Sequence, residues 1–122
     1  METLDVAPAA VNLRAADLIA ANGLAHDAYC LELDGRPYTE CPVDVLGALA
    51  VAAGLHPMVW EDDYLNEPQI VHACEAADLL VCHLGFDPAK SYDETLGAWS
   101  DHQPADYIVT MMRAAARQAV TA

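Results

Sequence analysis

The stretch Pro42-Val-Asp-Val-Leu-Gly-Ala-Leu-Ala-Val-Ala-Ala-Gly54 carries one polar side chain, Asp44. Pro42 suits a first helical position, where its missing N–H has no partner to lose. Asp44 then falls in the first turn, where a carboxylate meets the positive end of the helix dipole. Gly54 supplies the left-handed conformation that closes a helix. Between these ends apolar side chains point in every direction, and a helix that is apolar all round is buried. At about a dozen residues it is too short to span a bilayer. The stretch therefore predicts a buried central helix, with Gly47, Ala48, Ala50, Ala52 and Ala53 allowing close approach of its neighbours.

On the N-terminal side, residues 1–8 read as a flexible lead-in and 9–122 as one helical domain. A first helix is expected over Ala9–Asn22. Val11, Ala15, Leu18, Ile19 and Asn22 lie along one side, and Asn22-Gly23 is a stop signal. Ala28–Leu33 and Arg36–Thr39 flank Asp34-Gly35, the favoured two-residue hairpin turn. Pro37 weakens the second of those strands.

On the C-terminal side, His56–Tyr64 is a connector with an acidic run, Glu61, Asp62 and Asp63. A third helix is expected over Glu67–Leu84. At a step of roughly 100° per residue its faces separate. Ile70, Ala73, Cys74, Ala77, Leu80, Val81 and Leu84 share one face, and Glu67, His72, Glu75, Asp78, Cys82 and His83 the other. Leu79 is the apolar exception on the polar side. Ser91–Gly97 suggests a short helix. Pro104 opens a last helix running to about Val120, with Ile108, Val109, Met111, Met112, Ala115, Ala116 and Ala119 on its core side. The fold class is mainly α, four or five helices around the central one, with at most one short β-hairpin.

Charge narrows the function classes. The 122 residues hold 19 Asp and Glu against five Lys and Arg, a net charge of −14. Between Leu18 and Met112 the only basic residues are Arg36 and Lys90. Nucleic-acid affinity rests on Lys and Arg displacing counterions, so nucleic acid is not an expected partner. Anionic membranes are disfavoured for the same reason. Solubility, a basic protein partner and mimicry of nucleic acid remain as readings of the charge. A hydrophobic content of 55% excludes a disordered chain. Cys30, Cys41, Cys74 and Cys82 include no C-x-x-C pair, and the N-terminus has no basic-then-apolar signal layout. A cytoplasmic protein with reduced thiols is the expectation.

Several residues invite chemistry. Cys41 is expected at the N-terminus of the central helix, where N–H groups and dipole favour a thiolate. A nucleophilic cysteine needs a histidine, and no local signature ties one of the five to Cys41. The competing reading is a partly buried structural thiol. His72 and His83 are nearly in phase but about 16 Å apart along the helix, so they cannot share one ion. No metal site and no cofactor are expected. Trp60 with Glu61, Asp62 and Asp63 reads as a core plug flanked by solvated acids, or as a contact surface for a basic partner. In Trp99-Ser100-Asp101 the tryptophan is expected to pack inward while Ser100 or Asp101 caps the last helix. There is no phosphate loop, Ser-His-Asp signature or glycine-rich nucleotide fingerprint.

The run Leu13-Arg-Ala-Ala-Asp-Leu-Ile19, the helix segment Leu46-Gly-Ala-Leu49 and the turn Trp99-Ser-Asp101 resemble an uncharacterised family of small helical proteins from actinobacteria and their phages. The resemblance covers about Leu13–Gly54 and Leu96–Ala116. Asp44 stands where that pattern has Cys, and Ser100 where it has Asn. The resemblance implies a bacterial intracellular protein and no known activity. The expected function is a non-enzymatic accessory or regulatory protein acting by protein–protein contact. The contact residues expected are Glu61, Asp62, Asp63, Glu75, Asp78 and Leu79, with Trp99 and Asp101 at the late turn. The alternative is a small Cys/His-dependent enzyme or ligand-binding protein with its site near Cys41 and the Trp99–Asp101 turn.

Overall fold

A computed structural model describes residues 4–61 and 69–121. Among these the helices are α1 (Pro8–Asn22), α2 (Val45–Ala52), α3 (Ile70–Leu84), α4 (Ala98–Asp101) and α5 (Ala105–Thr121). Tyr38–Glu40 and Pro57–Trp60 form 3₁₀ turns, and a π-helical turn at Asp93–Gly97 leads straight into α4. The fold is mainly α, and its hub is α2. Val45, Leu46, Gly47, Ala48, Leu49, Ala50 and Ala52 are all buried, and Val51 alone on this helix is half-buried. α1 lies against α2, α3 and α5, and the Pro57–Trp60 turn covers α2 from another side.

The central helix begins at Val45, not at Pro42. Asp44 is extended and stands at the N-cap, where its Oδ1 accepts from the Gly47 N–H at 2.7 Å. An aspartate satisfies an orphan amide better from the cap than from inside the first turn. Pro42 stays extended, and its carbonyl accepts from Leu31 N–H at 2.9 Å. The other end forms as the sequence implies. Gly54 is left-handed (φ 86°), and Gly54 N–H and Leu55 N–H reach the carbonyls of Val51 and Ala50 at 3.0 and 2.9 Å. This is a Schellman closure.

The hairpin takes a different register from the one expected. Asp34-Gly35 does turn, with Arg36 N–H on Leu33 O at 3.1 Å. Only Gly35 is left-handed there (φ 79°), so this is not the type I′ turn that a tight hairpin needs. The flanks splay, and residues 29–31 pair antiparallel with 42–44 instead. Gly47 makes this possible. A Cβ on it would lie 2.0 Å from Tyr29 O, so only glycine lets the segment cross α2 this closely.

α1 buries Val11, Ala15 and Ile19 of its expected face, with Asn12 and Ala16 in place of Leu18 and Asn22, which are half-buried. α5 buries Ile108, Val109, Met112, Ala115 and Ala116, while Met111 is half-buried and Ala119 is exposed. Asn12, at the centre of the α1 face, is fully buried. Its Nδ2 ties Pro8 O within α1 to Ala76 O on α3, both at 3.0 Å. Trp60 plugs the core and donates its indole N–H to Leu46 O at 2.6 Å. Glu67, assigned to the start of the third helix, lies outside the described residues. No described helix is long and apolar enough to cross a membrane.

Candidate functional site

The N-terminal end of α2 opens onto a cavity of about 610 Å³. Three parts of the chain meet there. The segment from Asp27 to Cys30 forms one wall, the π-turn and α4 another, and Met58 and Glu61 the rim. Gly97 and Ala98 keep the α4 side low. Asp44 lies at the base and is only 4% exposed.

Each acidic side chain is held for a local reason. Asp44 caps α2. Asp93 accepts the Tyr29 hydroxyl at 2.8 Å. Asp101 accepts the Asp27 N–H at 2.9 Å, and Asp27 itself is left-handed (φ 61°). Spacing by four places Asp93, Gly97 and Asp101 on one side of the turn and helix. Ser100, buried behind them, does not cap α5 as expected. Its Oγ accepts Val45 N–H at 3.1 Å, so it caps α2 alongside Asp44. Asp101 likewise serves the cavity wall, not the last helix.

The electrostatics are one-sided. Among the described residues Asp27, Asp44, Glu61, Asp93 and Asp101 line the cavity, and no Lys or Arg does. Burial pushes the Asp44 carboxyl up to about 7. The amide hydrogen bonds of Gly47 and Leu46 oppose this, and the charges of Asp101 and Asp93 add to it. The Tyr29 phenol is pushed up by burial, then by its bond to Asp93 and that carboxylate's charge, so it stays a donor. His102 Nδ1 lies 2.8 Å from Ala98 O. A carbonyl only accepts, so Nδ1 carries the proton in this contact.

Cys41 is buried and stands four residues before Val45, away from the amides of α2. Its thiol points to the carbonyls of Pro37 and Arg36 at 3.4 and 3.9 Å. The cysteine on the cavity wall is Cys30, whose thiol burial pushes up, followed by the charges of Cys41 and Glu32. That is the opposite of an activated nucleophile. Of the residues singled out from sequence, Glu61 and Asp101 meet in the cavity. Asp62 and Asp63 lie outside the described residues. Glu75 and Asp78 are on the exposed side of α3, where Asp78 accepts the Tyr92 hydroxyl at 2.7 Å. Leu79 is half-buried in a groove with Ala115 and Ala119 of α5. Trp99 packs edge-on between Phe86 and Tyr107. Among the described residues no three His, Cys, Asp or Glu side chains are placed to hold a metal ion.

Sequence reasoning missed Asp27, Tyr29, Cys30 and Asp93, and it took Asp44 for a helix-starting residue only. The four-residue spacing of Asp93, Gly97 and Asp101 was the available signal. Nothing local marks Asp27 or Tyr29, which reach the cavity through tertiary pairing.

Fold and site together define a small mainly-α protein with an acidic cavity at the N-terminal end of a buried helix. The chain belongs to a family of unknown function (DUF6197), whose sequence model matches residues 3–118. The match runs through the middle of the chain, beyond the two segments that carry the resemblance. No curated protein and no solved structure matches it. The motif residues have structural roles here. Gly47 admits Tyr29, Ser100 caps α2, and Arg14 donates from Nε and Nη2 to Ala52 O at 3.0 and 2.8 Å.

Proposed function

We propose that this protein is a non-enzymatic accessory or regulatory protein that binds a basic protein partner, taking an ammonium or guanidinium group of that partner into the acidic cavity. One observation carries the reading: five carboxylates, one of them buried, surround a cavity that no lysine or arginine lines. Burial is the main cause of the upward shift of Asp44, and the charges of Asp101 and Asp93 add to it. A cation relieves that repulsion, and a planar guanidinium suits a site with several carboxylate oxygens. The net charge of −14 steers such a partner from a distance. A Cys/His enzyme is less well supported, because the raised Cys30 thiol is a poor nucleophile and Cys41 does not line the cavity.

Calorimetric titration with short peptides bearing one Arg, one Lys or one citrulline tests this. The Arg and Lys peptides bind, the citrulline peptide does not, and binding weakens as salt rises. Asp101→Asn and Asp93→Asn each weaken it. Equal binding of all three peptides, or binding indifferent to both variants, removes the reading.

A further inference from the structure

Cys30 lines this cavity, and a second thiol, Cys41, lies buried on the segment paired with it. Leu31 N–H donates to Pro42 O at 2.9 Å, and Asp44 N–H donates to Tyr29 O at 3.2 Å. These bonds bracket Cys30 and Val43 as a directly opposed pair of the non-hydrogen-bonded kind, the closer of the two antiparallel types. Cys41 lies two residues before Val43, diagonal to Cys30. The Cys30 thiol is pushed up by burial first, then by the charges of Cys41 and Glu32. Cys30 is half-buried and lines the cavity, whereas Cys41 is buried. Residues 32–40 between them are all exposed, so the loop has room to adjust.

We propose that Cys30 and Cys41 are a dithiol pair which a small-molecule disulfide, entering through the acidic cavity, oxidises to an intramolecular bridge. The reachable Cys30 thiolate attacks one sulfur of the reagent, the reagent's S–S bond breaks, and one thiol leaves. The Cys41 thiolate then attacks Cys30 Sγ, forms the bridge and expels the second thiol. The protein pair is oxidised by two electrons, the reagent is reduced to two thiols, and the two protein protons pass to them. Exchange needs the thiolate, so the raised thiol makes the step slow at neutral pH and faster in mild alkali. The carboxylates select the reagent's charge: a dicationic disulfide is drawn in and a dianionic one is repelled. That selectivity rests on the acidic-cavity reading above, and the pairing of the thiols does not.

The test treats the full chain in mild alkali with cystamine or with oxidised glutathione. Cleavage after glutamate cuts at Glu32 and Glu40 and separates Cys30 from Cys41, so a bridge appears as two linked peptides in a non-reducing mass map. The linked pair is expected in the parent and in the Cys74→Ser/Cys82→Ser double variant. Cys41→Ser should stop at a mixed disulfide on Cys30, and the map of the parent decides even if that variant misfolds. Cystamine should react at least about tenfold faster than oxidised glutathione, relative to the same two rates on the urea-unfolded chain. Adducts confined to Cys82, with no linked pair, overturn the dithiol assignment. A linked pair formed with no charge preference overturns access through the acidic cavity, and the cation reading with it.

Discussion

The two ends of α2 solve the same problem in opposite ways. A helix leaves amides unpaired at its start and carbonyls unpaired at its end, and burial makes both expensive. At the C-terminal end Gly54 closes the backbone, and the Arg14 guanidinium, from α1, donates to Ala52 O and to Asp5 O. That cation meets the negative pole of the helix and is fully engaged. At the N-terminal end Asp44 and Ser100 take the amides of Gly47 and Val45. Their sign also suits the dipole. Here, however, among the described residues, four more carboxylates line an open cavity and no Lys or Arg does. One end is satisfied within the fold. The other keeps uncompensated charge facing a space that a ligand can fill.

Gly47→Ala breaks the comparison most severely. Its Cβ would meet the Tyr29 carbonyl at 2.0 Å, so the segment that walls the cavity must move off α2. A loss of about 3 kcal/mol or more is expected, at the upper end of overpacking penalties. Urea unfolding measures it, and a loss below about 1 kcal/mol means the segment does not cross α2 this closely.

Arg14→Ala should cost about 1.5–3 kcal/mol, the range for charge-assisted hydrogen bonds to carbonyls that burial would otherwise orphan. Arg113→Ala is the control. Arg113 pairs with Asp17 at 3.0 Å on the exposed surface, a kind of bridge worth about 0–1 kcal/mol. Comparable losses from the two arginines would deny the C-terminal clamp.

Ser100→Ala leaves Val45 N–H buried without its acceptor, and about 1–2 kcal/mol is the expected loss. Ser100→Asp, in contrast, adds charge to a crowded acidic end and should not restore the parent's stability. Thermal or urea melts of the two variants distinguish a capping role from mere packing.

A pH dependence is the most diagnostic of the uncompensated end. The Asp44 carboxyl has a folded-state pKa of about 7, above the unfolded value of about 3.9. The folded state therefore binds the proton more tightly. This contribution to stability is fully present below about pH 4 and is lost as pH rises through about 7. Asp44→Asn keeps an acceptor at the cap and removes the charge. It should flatten the stability profile between pH 5 and 8 and gain stability at the alkaline end. An unchanged slope would show that Asp44 does not carry the repulsion.

Much of this molecule was legible in the chain. The apolar run around Leu46 and Leu49 marks the hub, because a helix without a polar face must be enclosed. The faces of α1, α3 and α5 follow from apolar spacing, and the acidic excess is a matter of counting. Trp60 was identifiable as a plug, though not its bond to Leu46 O. Errors fell where a residue had two local options and a distant partner chose between them. Ser100 and Asp101 could cap the helix that follows them, yet they serve Val45 and Asp27, remote in sequence. Pro42 suited a helix start but was recruited as an acceptor for Leu31.

Composition and periodicity thus determined the mainly-α class, the buried central helix and the negative charge, because these depend on side-chain character summed along the chain. Only the tertiary structure decided where the charge collects. Asp27, Asp44 and Asp93 share no motif. They share a cavity because Gly47 lets Tyr29 cross α2 and the π-turn brings Asp93 to the Tyr29 hydroxyl. Contact between remote segments is set by which backbones can approach, and neither spacing nor composition records that.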